Sequence, residues 1–215
     1  DDAVGAEHIA SGLQLVTTND AQGATLAGTG AGANLASNTH WENTLIGYNA
    51  GNAITGGDYN TALGYHALDA TTTGTSNTAL GRRTLEDNTT GGNNVAVGTS
   101  ALANNTTADN NVAIGLSALN ANTTGSSNVA VGVYSLLSAT TADDNTALGR
   151  STLVNTTTGS NNTAVGRSAL AATTTGERNT AIGTYALDAN TTGSYNYASG
   201  YGALGLNTTA DNNTA

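Results

Sequence analysis

The sequence repeats itself every 17 residues, and that period restricts the fold more than any other feature of the chain. The motif Asn-x-Ala-aliphatic-Gly begins at Asn60, Asn77, Asn94, Asn111, Asn128, Asn145, Asn162 and Asn179. Variants stand at Asn43 (Asn-Thr-Leu-Ile-Gly) and Asn196 (Asn-Tyr-Ala-Ser-Gly), and a last copy opens at Asn213. A fixed period of this size marks an architecture in which each unit buries its apolar face only by stacking on the next. Counting columns from the asparagine, column 5 is glycine from Gly47 to Gly200. Column 9 is leucine from Leu68 to Leu204, and column 13 is threonine from Thr55 to Thr208. Columns 6 and 7 vary freely (Tyr48-Asn49, Tyr65-His66, Arg82-Arg83, Leu116-Ser117, Val133-Tyr134), so the copies have diverged where divergence is tolerated. The invariant columns are structural.

Seventeen residues are too few for a helical hairpin, and Gly, Asn, Thr and Val are poor helix formers, so the repeat predicts short strands and turns. One strand is expected over columns 1 to 4 and a second around the leucine. Identical columns one coil apart predict parallel, in-register stacking at about 4.8 Å per coil, which gives an all-β parallel solenoid or β-roll roughly 48 Å long. The segment 1–42 lacks the period, although Leu26-Ala27-Gly28 resembles a broken strand-glycine unit. It is expected to be a cap of degenerate coils closed by Trp41, followed over 43–215 by ten repeats and a truncated eleventh.

The core must be thin. The sequence is 38% hydrophobic, but it holds no Phe, Met, Cys or Pro and one Trp, and much of its apolar content is alanine. The expected interior pairs the column 4 aliphatics (Leu63, Leu80, Val97, Ile114, Val131, Leu148, Val165, Ile182) with the column 9 leucines. Column 1 predicts an asparagine ladder through Asn60, Asn77, Asn94, Asn111, Asn128, Asn145, Asn162 and Asn179, with a threonine ladder beside it. The column 3 alanines (Ala62 to Ala198) are then expected on the outer strand face. Their small size there predicts a partner chain packed on them and hence a homo-oligomer.

The formal net charge is −10, Lys is absent and the five arginines are scattered, a pattern that argues against a nucleic-acid partner or an anionic-membrane anchor. No apolar run reaches the roughly 20 residues of a membrane span. The absence of an initiator Met and of a signal-like start, and the ending in mid-repeat, predict a processed chain or one that continues past Ala215.

The Asn-[Thr/Val]-Ala-[Val/Ile/Leu]-Gly segment over 43–215 resembles the repeat of the YadA-like head of trimeric autotransporter adhesins, and similar repeats occur in phage and viral tail fibres. The resemblance implies a left-handed parallel β-roll, three chains side by side, and a head that binds host matrix or other surfaces at the cell or virion surface. The coil here is longer than is usual in that family, with the extra residues in the Thr-Thr-Gly loop.

No catalytic motif is present, the glycines are explained by turns, and His8, His40 and His66 show no metal-ligand spacing, so neither an enzyme nor a cofactor is expected. Asp58, Asp109, Asp143, Asp144, Glu177 and Asp211 read as a solvated edge rather than a calcium site. The candidate contact stripe lies in columns 6 and 7: Tyr48, Tyr65, Arg82, Arg83, Tyr134, Arg150, Arg167, Tyr185 and Tyr201. Asn-Thr-Thr at Asn88, Asn105, Asn122, Asn155, Asn190 and Asn207 matches the glycosylation acceptor, or else completes a polar ladder. The expected function is a non-catalytic, extracellular fibre segment or adhesin head that associates with itself and with a host or surface ligand. An end-to-end filament subunit is the alternative. Ice binding by threonine rows is a remoter one, opposed by the opposite facing of adjacent threonines on a strand.

Overall fold

The structure is a computed structural model that describes residues 15–16, 23–35 and 42–215; the roles expected of Trp41, His8 and His40 lie outside these. The chain winds into a parallel β-solenoid with one three-residue strand per 17-residue coil. The strands are β1 (Leu15–Val16), β2 (Thr25–Ala27), β3 (Thr44–Ile46), β4 (Thr61–Leu63), β5 (Thr78–Leu80), β6 (Val95–Val97), β7 (Val112–Ile114), β8 (Val129–Val131), β9 (Thr146–Leu148), β10 (Thr163–Val165), β11 (Thr180–Ile182) and β12 (Tyr197–Ser199). They form one sheet in chain order, and from β2 onward every neighbouring pair is parallel and in register, as in Thr61↔Thr78, Ala62↔Ala79 and Leu63↔Leu80. β1 pairs antiparallel with β2, and the step from Thr25 to Thr44 is longer by two residues than the step from Thr44 to Thr61. The described residues contain no helix.

The strand faces are the reverse of those expected. Column 3 points inward, with Leu45, Ala62, Ala79, Ala96, Ala113, Ala130, Ala147, Ala164, Ala181 and Ala198 all at 0% exposure. Column 4 points outward, and Leu63 is 51% and Ile182 42% exposed. The reason is volume: alternation along a strand defines two faces but not which is inside. A coil this small has room for one large side chain, and the column 9 leucine takes that room. The residues opposite it must therefore be small, which places alanine inside and sends the aliphatic column out.

The expected second strand is absent among the described residues. The column 9 leucines sit instead in turns with left-handed backbone, for example Leu85 at φ 49 and Leu119 at φ 52; from Leu68 to Leu187 each is fully buried, and Leu204 is partly buried. A left-handed non-glycine residue costs about 1–2 kcal/mol, whereas burying a leucine side chain contributes roughly 1.5–3 kcal/mol. Burial therefore decides the conformation. The column 5 glycine is required for a different reason: at φ 135, a Cβ on Gly115 would come within 2.6 Å of the Gly132 carbonyl oxygen in the next coil.

One coil proves which columns share the interior. In 43–59, Leu45 replaces the column 3 alanine, Gly51 replaces the column 9 leucine, and Ile54 fills column 12, where other coils carry Thr, Asn or Ala. Gly51 keeps the left-handed turn at φ 57, and a Cβ there would meet both Ile54 Cδ1 and Leu45 Cδ1 at 2.8 Å. The volume has moved from column 9 to columns 3 and 12 without leaving the core. Leu26, Gly32 and Leu35 repeat the exchange in the preceding coil, where a Cβ on Gly32 would meet Leu35 Cδ1 at 2.7 Å.

Backbone hydrogen bonds join successive coils around the whole circumference, not only at the strands. In the coil from Asn77, the Thr78, Leu85, Asp87 and Thr89 N–H groups donate forward to Asn94, Ala101, Ala103 and Thr106. The Gly81, Arg83 and Asn93 N–H groups donate back to Leu63, Tyr65 and Thr75. Side chains extend the lattice: Asn128 Nδ2 donates to Asn111 Oδ1 at 3.2 Å and to the Ala142 carbonyl at 2.7 Å. In column 13, Thr89 Oγ1 donates to the Thr106 carbonyl at 2.9 Å.

Candidate interaction surface

Columns 2 and 4 together form the outward face of the sheet. In the middle of the rod this face is wholly aliphatic (Val95, Val97, Val112, Ile114, Val129, Val131), with threonine in column 2 towards both ends, as at Thr61, Thr78, Thr146 and Thr163. From β3 to β12 it carries no charged residue. Strands of this length at this spacing give a flat strip of the order of 500 Å² in projection. A strip of that extent is comparable to the largest apolar patches on monomeric proteins, which are often functional, and it makes this face the candidate interaction surface. The sequence reading placed the partner surface on the column 3 alanines; the structure buries these inside the coil, where they give no ground for a partner, and the exposed face is columns 2 and 4. The signal that could have found it is the combination of bulk and absent charge in columns 2 and 4.

The strip is bordered by column 17 on one edge and column 6 on the other. Both columns are exposed along most of the rod, with Asp144 and Arg150 bordering β9, Tyr59 and Tyr65 bordering β4, and Tyr195 and Tyr201 bordering β12. Asp144 and Arg150 are both exposed. Arg150 is the one arginine whose guanidinium has no hydrogen-bond, ion-pair or ring partner among the described residues. The other four are engaged by Tyr65, Glu86, Tyr185 and Tyr195.

The Tyr and Arg positions of columns 6 and 7 fall into separate groups rather than one continuous stripe. Near the first regular coils, the Tyr48 and Tyr65 rings stack at 5.5 Å and 12°, Arg82 lies 6.0 Å from the Tyr65 ring, and His66 Nδ1 sits 2.5 Å from Asp69 Oδ2. Arg83 Nε pairs with Glu86 Oε1 at 3.2 Å beside them. At the other end, Arg167 lies 5.5 Å from the Tyr185 ring, which meets Tyr201 edge-on at 6.0 Å. An open recess there is lined by Tyr185, Asp188, Tyr201 and Leu206. Tyr134, between the groups, makes no ring contact among the described residues.

Half of the acidic edge, Asp109, Asp143 and Asp211, has a structural task that the sequence reading missed. Asp109 Oδ1 accepts the Gly92 N–H at 2.6 Å, Asp143 Oδ1 the Ser126 N–H at 2.7 Å, and Asp211 Oδ1 the Ser194 N–H at 2.7 Å. Serines in the same column do likewise, with Ser160 Oγ accepting from Asp143 N–H at 3.0 Å. Column 16 therefore caps the N–H of the preceding coil with whatever short side-chain oxygen it carries, and the recurrence of Asp and Ser there was the available clue. Among the described residues no cluster of three or more His, Cys, Asp or Glu could hold a metal ion.

The glycosylation reading fails at four of its positions. Asn88, Asn105, Asn122 and Asn190 are 0% exposed inside the coil. Asn105 Nδ2 donates to Asn88 Oδ1 at 2.8 Å and Asn122 Nδ2 to Asn105 Oδ1 at 2.9 Å, so these three form a second ladder, while Asn190 Nδ2 donates to the Gly193 carbonyl at 2.9 Å; none of the four has room for a glycan. Asn155 is exposed and Asn207 half-buried.

Comparison with protein-family models, curated proteins and solved structures finds no match for this chain. Among the described residues no helix is long and apolar enough to cross a membrane.

Proposed function

We propose that this chain is a non-catalytic structural rod that associates side by side with two further copies of itself, as a fibre segment or adhesin head at a cell or virion surface. The observation that carries this reading is the exposed, charge-free strip of columns 2 and 4. A monomer would leave Leu63 at 51% and Leu148 at 38% exposure in an unbroken row, at the cost of solubility. Three rods turned inward bury all three strips about a common axis, and the small girth of each coil lets them approach closely. The wholly aliphatic middle with threonine towards the ends matches interfaces whose apolar centre is ringed by polar groups. Adhesion to a host or surface ligand then falls to the residues left outside, of which the Tyr and Arg groups of columns 6 and 7 are the richest in recognition chemistry.

Light scattering on the purified chain at micromolar concentration tests the proposal. The expected mass is three times the 21.1 kDa of one chain. A stable species at the mass of one chain overturns it.

A further inference from the structure

Rods that pack around an axis parallel to their length bring one edge of each strip against the opposite edge of the next copy, so column 17 of one chain meets column 6 of its neighbour. Closed cyclic symmetry allows no shift along the axis, because any shift would generate an open helix. Equivalent coils therefore meet at one height. Residues bordering the same strand then become intermolecular neighbours: Tyr59 with Tyr65, Ser76 with Arg82, Asp144 with Arg150, Asn161 with Arg167, Arg178 with Thr184 and Tyr195 with Tyr201.

The pairing also sets Asn110 beside Leu116 and Ser127 beside Val133, where no charge is involved. It contains no like-charge pair and joins tyrosines at both ends of the rod. It also brings together two groups that have no side-chain partner among the described residues, the Asp144 carboxylate and the Arg150 guanidinium. They border opposite edges of β9, whose three extended residues alone set them about 10 Å apart, and they make no contact with each other in the chain. A displacement of one coil in one sense would set Arg178 against Arg167 instead. An antiparallel pairing of strips would place column 17 against column 17 and leave Arg150 without its acid.

We infer that Asp144 of one copy forms an ion pair with Arg150 of the next, locking the copies parallel and in register. The inference rests on the side-by-side association proposed above and adds its direction, its register and the contact that sets them.

The chain contains no cysteine, so a doubly substituted Asp144→Cys/Arg150→Cys chain reports the contact directly. Both sites are exposed, and their separation excludes a disulfide within a chain. Mild oxidation should convert the assembly to a covalent trimer on non-reducing gels. Asp144→Cys alone, and Asp144→Cys paired with Thr184→Cys two coils away, should stay monomeric on the same gels. Cross-linking through Asp144→Cys alone would overturn the register in favour of antiparallel pairing. An assembly that scatters light as a trimer but gives no cross-link would overturn the register while leaving the association intact. A monomer in light scattering would overturn both. As a second readout, Asp144→Arg should weaken association roughly fivefold to tenfold, and Asp144→Arg/Arg150→Asp should restore it. Failure of the exchange to restore association would also count against the pair.

Discussion

The backbone N–H of Asn145 and its side-chain Nδ2 both donate to one oxygen, Oδ1 of Asn128 in the preceding coil, at 3.0 and 3.2 Å. Asn128 in turn donates back to Asn111 Oδ1 and across the coil to the Ala142 carbonyl. From Asn43 to Asn196 each column 1 side chain thus acts as donor and acceptor at once, inside a core where an unpaired polar atom is expensive.

Asn128→Asp keeps the shape and the accepting oxygen but removes both donors, setting a carboxylate oxygen against the Ala142 carbonyl and Asn111 Oδ1. The expected loss is about 3 kcal/mol or more. Denaturant titration measures it, and hydrogen exchange should show the lost protection centred on the coils either side of Asn128. Asn161→Asp, at an exposed column 17 position where Asp144 already stands in another coil, should change stability by under about 0.5 kcal/mol.

The second amide ladder is interrupted at Ala139, and the interruption is visible on both sides. Asn122 Oδ1 below it and Thr156 Oγ1 above it are buried without a hydrogen-bond partner. Ala139→Asn places a donor beside the first and an acceptor beside the second, in a column that holds asparagine in other coils. Stability should rise by about 1 kcal/mol, seen as a melting temperature roughly 2–4 °C higher. A lower melting temperature would show that the column cannot admit the larger side chain next to Thr156.

The coil 43–59 offers a packing test. Gly51→Leu alone would drive its side chain into Leu45 and Ile54, and thermal melting should show strong destabilisation of that coil. Leu45→Ala/Gly51→Leu/Ile54→Asn restores the arrangement of the other coils and should recover most of the loss. If the triple variant were no better than the single one, columns 3, 9 and 12 would not share one interior.

That same coil shows what was legible in the sequence and what was not. The period gave the solenoid, the parallel register and the position of the strand, because stacking forces identical chemistry into columns. Period-two alternation separated Thr61 and Leu63 from Asn60 and Ala62 but left open which pair faced inward, and bulk suggested the wrong answer. The joint change at Leu45, Gly51 and Ile54 held the correct one, since side-chain volume is exchanged only among positions that touch. The leucine turns were illegible for another reason: a buried leucine with left-handed backbone contradicts local propensity, and only the closed coil makes it worthwhile. Glycosylation at Asn88, Asn105, Asn122 and Asn190 was an acceptor pattern produced by a core ladder followed by a threonine ladder. Asp144 and Arg150 were visible as charges but not as residues bordering one strip.

The central claim, that the outward strip is the surface on which copies meet, is tested most directly by sedimentation of Val97→Arg/Val131→Arg beside the unmodified chain. Both positions are on the outward face and away from the coil interior, so circular dichroism should be unchanged. The account predicts a trimer for the unmodified chain and a folded species of one-chain mass, 21.1 kDa before the substitutions, for the variant. A variant that sediments as the same assembly as the unmodified chain would contradict it.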